Sequence, residues 1–236
     1  MYEERPARLA GAVVWRRDIG TGDARDPGTR PVLPDGCMDL IWADGRLLVA
    51  GPDTRAYVPR SPAAHYAGVR FAPGEAAGVL GVEASAVRDE RVDLAELWGA
   101  RVARRLADRV SGAADRAAAL EDVVLRRAAE APAPDPLLRA VVARLRAGLP
   151  VGTVADELGI GVRQLHRRSL AAFGYGPKTL ARILRLQRAL ALVTAGVPAA
   201  EAAPRAGCVD QAHLAREMRA LTGLTIGGYV AGLRSA

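Results

Sequence analysis

The chain has 236 residues, half of them hydrophobic and a quarter charged, with a formal net charge of +7. That length suits one large or two small domains around a sizeable core. No apolar run approaches the roughly 20 residues of a membrane-spanning helix, and MYEERPARLAGAVVW at the start lacks a signal-peptide core. The expected setting is therefore cytosolic. Cys37 and Cys208 lie far apart, form no paired motif and read as reduced thiols.

Taken in chain order, the first hundred residues read as β-rich and turn-rich. PDGC (Pro34 to Cys37) predicts a turn. MDLIWA (Met38 to Ala43) and RLLVA (Arg46 to Ala50) flank Asp44-Gly45, a strong hairpin signal. AHYAGVRF (Ala64 to Phe71) predicts another strand. EAAGVLG and VDLAELWG predict short helices. DRAAALEDVVLRRAAE (Asp115 to Glu130) predicts a long one, with Leu120, Val123, Val124 and Arg127 on a stripe that packs against its own domain.

AEAPAPDP (Ala129 to Pro136) then breaks the pattern, because proline removes an amide donor and disfavours helix before it. The expected division is a β-rich domain over 1–131, a Pro-rich linker over 132–136 and an all-helical domain over 137–236. Charge divides in the same region. Residues 135–236 carry 14 Lys/Arg against 6 Asp/Glu, a net of +8, so the first 134 residues are near neutral at −1. Lys178 is the only lysine, and arginine makes up the other 32 of 33 basic residues. GC-rich coding favours such usage but would spread it evenly. A basic domain beside a neutral one points to a polyanionic partner.

The helical part repeats one unit. PLLRAVVARLRAG predicts a helix with Leu137, Leu138, Val141, Val142 and Leu145 inward. VGTVADELG then ends at Gly159, and a polar-faced helix starts at Val162. PKTLARILRLQRALALV (Pro177 to Val193) predicts a long connector. PAAEAAPRAG ends at Gly207, and DQAHLAREMRALTG closes at Gly223. Ala155 precedes Gly159 by four residues, as Ala203 precedes Gly207. Two helices about a tight glycine turn form a helix-turn-helix, whose second helix enters the DNA major groove.

The faces of the two second helices fit that role. Val162, Leu165, Ser169, Ala172 and Phe173 are expected inward in the first, and Leu214, Met218 and Leu221 in the second. Arg163 and Arg167 face outward, with His166 at the border. Gln211, His213 and Arg216 face outward in the second unit. Arginine can pair with guanine, and glutamine with adenine, through two hydrogen bonds each.

LGIGVRQLHRRSLAAFGYGPKTLARILRLQRAL followed by AGCVDQAHLAREMRALTGLTIGGY resembles the double helix-turn-helix domain of AraC/XylS-type transcription regulators. The most specific stretches are GPKTLAR, RLQRAL and DQAHLAREMRALTG. The resemblance implies a bacterial transcription factor with an α+β architecture: a small β-rich N-terminal domain with short helices, then two helix-turn-helix units joined by a long helix. It places base contacts on Arg163, His166 and Arg167 in the first unit, and on Gln211, Ala212, His213 and Arg216 in the second. Arg168 and Lys178 are expected to touch phosphate. RPVLPDGCMDLIW, GVRFAPGEAAGVLG and VRDERVDLAELWG resemble the N-terminal region of a subgroup of these regulators. The chain departs from the pattern at Ser169, Met218 and Cys208, where aromatics are usual, at Ile226 and at Pro204. Phe173 is expected to fill the space beside Ser169, and Pro204 to cost the second unit stability.

No catalytic constellation is evident. His65 and Cys37 have no partner base in sequence, zinc-ligand spacing is missing, and no cofactor or metal is expected. The partners expected are double-stranded DNA first, then RNA polymerase, a small-molecule effector and a second copy of the chain, with no membrane. The alternative is a ligand-independent architectural DNA binder whose N-terminal domain only makes protein contacts.

Overall fold

The computed structural model describes residues 1–19, 31–59 and 63–234. Strands β1 (Tyr2–Pro6), β2 (Val13–Asp18), β3 (Met38–Ala43), β4 (Arg46–Ala50), β5 (His65–Phe71) and β6 (Arg91–Asp93) form one antiparallel sheet in the order β1-β2-β5-β3-β4-β6. Asp44 and Gly45 close the β3–β4 hairpin with φ of 41° and 91°, the left-handed pair such a two-residue turn demands.

Alternation sets the two faces of the sheet. Val14, Val69, Leu40 and Val49 stand in register across four strands, and none is more than 2% exposed. They pack under α3 (Ala100–Ser111) and α4 (Arg116–Glu130). On the other face a Cβ at Gly68 would sit 2.1 Å from Trp15 Cε2, so only glycine lets that indole lie on the strand. Trp15 donates to Asp39 (2.7 Å), which also takes a hydrogen bond from Arg70 at 3.2 Å.

The stripe Leu120, Val123, Val124 of α4 packs into this core as expected, and Arg127 lies over the Trp98 ring at 4.6 Å. Glu121 of the same helix is 1% exposed. Burial alone would raise its carboxyl, but hydrogen bonds from Arg5 Nη2 (2.8 Å) and the Arg8 amide hold it below its ordinary value. The predicted helix over VDLAELWG is shorter than expected. Residues Arg91–Asp93 pair with β4, and Asp93 then caps α2 (Leu94–Trp98) by accepting from Ala95 N. The other short helix is α1 (Ala76–Leu80).

After α4 ends, residues 131–135 lead into α5 (Pro136–Arg146), capped by the Asp135 carboxylate. Six more helices follow: α6 (Val151–Glu157), α7 (Val162–Phe173), α8 (Pro177–Thr194), α9 (Ala199–Ala206), α10 (Gln211–Thr222) and α11 (Ile226–Arg234). They enclose a second core around α8, which buries Leu180, Ile183, Leu184, Leu186, Ala189, Leu190 and Val193. Arg188 of α8 donates to the carbonyls of Leu145 (3.1 Å) and Ala206 (2.8 Å), tying the ends of α5 and α9 to the connector.

The two halves touch through small residues and backbone. Gly74 faces the Phe173 ring, where a Cβ would fall 2.6 Å from Cε1. Thus Phe173, expected beside Ser169, also seats its ring edge on the N-terminal half. Arg88 donates to the Gly174 carbonyl (3.2 Å), Gln187 to that of Pro34 (2.6 Å) and the Ala56 amide to that of Leu221 (2.9 Å). The Ser169 and Tyr175 hydroxyls are buried without a hydrogen-bond partner among the described residues.

Candidate DNA-reading surface

The two helix-turn-helix units are built on the same turn. The Ile160 amide donates to the Ala155 carbonyl, and the Cys208 amide to that of Ala203. Both accepting alanines are buried, and both turns need a left-handed glycine, Gly159 at φ 61° and Gly207 at 89°. Beyond that bond the units diverge. One residue, Gly161, precedes α7, whereas Val209 and Asp210 precede α10. The extra residue gives α10 a reciprocal cap: Asp210 accepts from His213 N (2.6 Å) and the Val209 amide donates to His213 Nδ1 (3.2 Å). Gly161 offers α7 no side-chain cap.

Helix α7 and helix α10 are each 12 residues long and end at a left-handed glycine, Gly174 or Gly223. Their buried positions coincide: Leu165, Ser169, Ala172 and Phe173 in one, Leu214, Met218, Leu221 and Thr222 in the other. Counting from the helix starts, Val162, Arg163, Gln164, His166 and Arg167 therefore occupy the places of Gln211, Ala212, His213, Ala215 and Arg216. The turn glycines alone would set this register one residue off.

Arg163, His166 and Arg167 are exposed, as are Gln211, Ala212 and Arg216. His213 is half-buried and its Nδ1 is used by the cap. The expectation that Val162 points inward is corrected: it is 58% exposed, at the first position of its helix and equivalent to Gln211. Its apolar character made it look like core, and no periodic signal at a helix start could show otherwise. Gln164 is likewise exposed.

Other residues of the two units sit apart from a simple reading face. His166 lies beside the start of α8, where a Cβ on Gly176 would fall 2.9 Å from its Nε2. Arg168 donates from Nη1 to Asp135 at 3.1 Å, so it tethers α7 to the start of α5. Glu217, the equivalent residue of α10, is held by Arg182 of α8 through Nε at 2.9 Å. Position seven thus anchors each helix to its scaffold. Lys178 is exposed at the second position of α8, where its charge opposes the helix dipole. Pro204 is exposed inside α9, near its end.

Among the described residues, no group of three or more His, Cys, Asp or Glu is arranged to hold a metal ion, and no helix is long and apolar enough to cross a membrane. Burial raises the Cys37 thiol well above its ordinary value, as does the charge of Asp35, and both cysteines are free.

Residues 154–232 match a family described as a helix-turn-helix domain, and residues 12–93 match a domain of unknown function (DUF6597). No curated protein matches the chain. Among solved structures, an apo variant of ToxT from Vibrio cholerae is 9% identical, covers 97% of this chain and 100% of its own, and superposes with a TM-score of 0.50. Another ToxT structure from Vibrio cholerae is 8% identical, covers 98% of each chain and has a TM-score of 0.51. At that identity the likeness is one of fold, a β-rich half followed by a helical half. The tandem turns, the paired 12-residue helices and the family match agree: the chain carries, at its C-terminal end, the double helix-turn-helix DNA-binding domain of the AraC/XylS-type transcription regulators.

Proposed function

We propose that the protein is a sequence-specific transcription regulator whose α7 and α10 read successive major grooves on one face of double-stranded DNA. The observation that carries this reading is the coincidence of two exposed helix faces in one register, Val162, Arg163 and Arg167 against Gln211, Ala212 and Arg216. Arg163, Arg167 and Arg216 are assigned to guanine edges and Gln211 to adenine, with Val162 and Ala212 against thymine methyls. His166 and Lys178 flank the start of α8, where the Lys178 amide and the positive end of the helix dipole suit a phosphate oxygen. We assign them to the DNA backbone, and Arg168 to holding α7 in place. His213 supports its helix start through Nδ1.

The working division is a sheet-bearing unit over 1–131, a connector and a reading unit over 137–236. The contacts from Pro34, Ala56 and Arg88 onto Gln187, Leu221 and Gly174 reach both helix-turn-helix units. Through them the N-terminal half can bias the reading geometry, which supports control by a small molecule or partner over a purely architectural role. Hydroxyl-radical footprinting of the full chain on a selected site tests this. Two protected patches on one face, about one helical turn apart, are expected. A single patch on saturating protein would overturn the tandem reading.

A further inference from the structure

The C-terminal ends of α7 and α10 both finish against one stretch of the N-terminal half. Arg88 donates from Nη1 to the carbonyl of Gly174, the residue that closes α7 (3.2 Å). The Ala56 amide donates to the Leu221 carbonyl in the last turn of α10 (2.9 Å). The last carbonyls of a helix have no partner within it, and a cation beside them also suits the helix dipole. Pro52 packs on Gly174, where a Cβ would fall 2.6 Å from the proline Cγ. Residues 52–56 therefore touch α7 at one end and α10 at the other.

That segment is stiffened from behind. Asp89 accepts from the Thr54 amide (2.6 Å) and hydroxyl (2.9 Å), and its own amide donates to the Pro52 carbonyl (3.2 Å). Asp53 is buried and takes two hydrogen bonds from Arg91 (2.9 and 2.7 Å), whose guanidinium lies over the Tyr57 ring at 4.0 Å. The Gly51 amide donates to the Glu90 carbonyl (3.0 Å). Four consecutive residues, Gly51 to Thr54, are thus tied to Asp89, Glu90 and Arg91, next to Arg88. On the reading side, α8 joins the two units, and its Arg182 holds Glu217 of α10 (2.9 Å). By itself α7–α8–α10 is an open chain, in which packing and that ion pair set the tilt of α10. Residues 52–56 close the chain into a ring, and the separation of α7 and α10 then changes only if a contact breaks.

We infer that residues 52–56 and Arg88 form a brace that fixes the separation and relative tilt of α7 and α10, so that Ala56 and Arg88 determine which half-site spacing the protein accepts. The brace stands on this geometry, and its effect on spacing rests on the reading of α7 and α10 as recognition helices. One base pair added between half-sites moves the second by about 3.4 Å and turns it by about 35°. A braced pair of helices does not follow that displacement.

Two measurements on the full-length chain test the brace and its effect separately. The first uses no DNA. Nitroxide labels at Gln164→Cys and Gln211→Cys, both exposed positions, in a chain with Cys37→Ala and Cys208→Ala, report the distance between the helices by pulsed electron paramagnetic resonance. One narrow distance is expected. Ala56→Pro removes the donor to Leu221, and Arg88→Ala the donor to Gly174, and each should broaden the distribution. Arg88→Ala trims an exposed side chain and leaves the backbone alone, so it decides the matter if Ala56→Pro loses its circular dichroism. A broad wild-type distribution, or one as narrow as wild type in Arg88→Ala, would overturn the brace. The second measures affinity for a selected site at its native spacing and with one base pair added or removed. Off-spacing the wild type should lose at least about tenfold, the loss of one two-hydrogen-bond base contact, and the variants about threefold or less. Equal losses in wild type and variants, or none in the wild type, would overturn the spacing role. Failure to select any preferred sequence would count against the regulator reading and leave the distance data standing.

Discussion

At the residue scale, the two kinds of contact assigned to DNA predict different losses. Arg163→Ala should cost about 1–3 kcal/mol on the preferred site and relax preference at one or two base pairs. Lys178→Ala should weaken every sequence about equally and lower the salt slope by about one. Fluorescence anisotropy over a salt series checks both. If Lys178→Ala changed preference instead, the start of α8 would be reading bases. Pro204 offers a stability test. It removes the donor that would reach the Ala200 carbonyl, and both residues are exposed, so a replacement gains a backbone bond but little packing. Pro204→Leu should still raise the melting temperature, since proline inside a helix costs up to about 3 kcal/mol against a good helix former. A fall would mean that the proline restrains α9 usefully through the unfolded state.

At the element scale, much of the site was legible because periodicity and glycine punctuation are strong in short helices. Leu165, Leu214, Met218 and Leu221 are buried as their spacing demanded, and the 44–45 hairpin formed as its dipeptide demanded. Three features were not legible. Val162 is apolar yet exposed, because the first position of a helix lies ahead of the turns whose spacing defines the inward face. Arg168 pairs with Asp135, 33 residues away, and no local pattern encodes that contact. β6 hid in a helix-like run because its pairing with β4 is tertiary. The unequal helix starts give a further prediction. Gly161 has ordinary backbone angles and open space, so Gly161→Ser should add the cap that α7 lacks and raise the melting temperature. Asp210→Ala should cost about 1 kcal/mol by removing the cap of α10. Thermal denaturation measures both; no change in either would show that the starts are held by packing alone.

At the scale of the whole molecule, charge and cores separate along the chain. The excess of +8 over residues 135–236 coincides with the second core, and the Asp135 cap lies inside that fragment. Residues 135–236 should therefore fold alone and bind DNA with an affinity that falls steeply with salt. Without the N-terminal half they lose the contacts at Gly174, Gln187 and Leu221, so the fragment should tolerate altered spacing between half-sites better than the full chain. Salt-independent binding by the fragment would contradict the electrostatic part of the account.

The central claim is that α7 and α10 each read their own groove segment. A binding selection from randomised DNA, run on the wild type, Arg163→Ala and Arg216→Ala, tests it most directly. The account predicts a wild-type motif with two informative blocks whose centres lie about 10 base pairs apart. Arg163→Ala should blur one block and Arg216→Ala the other, each leaving its neighbour sharp. A single block, or the same motif from all three proteins, would contradict it.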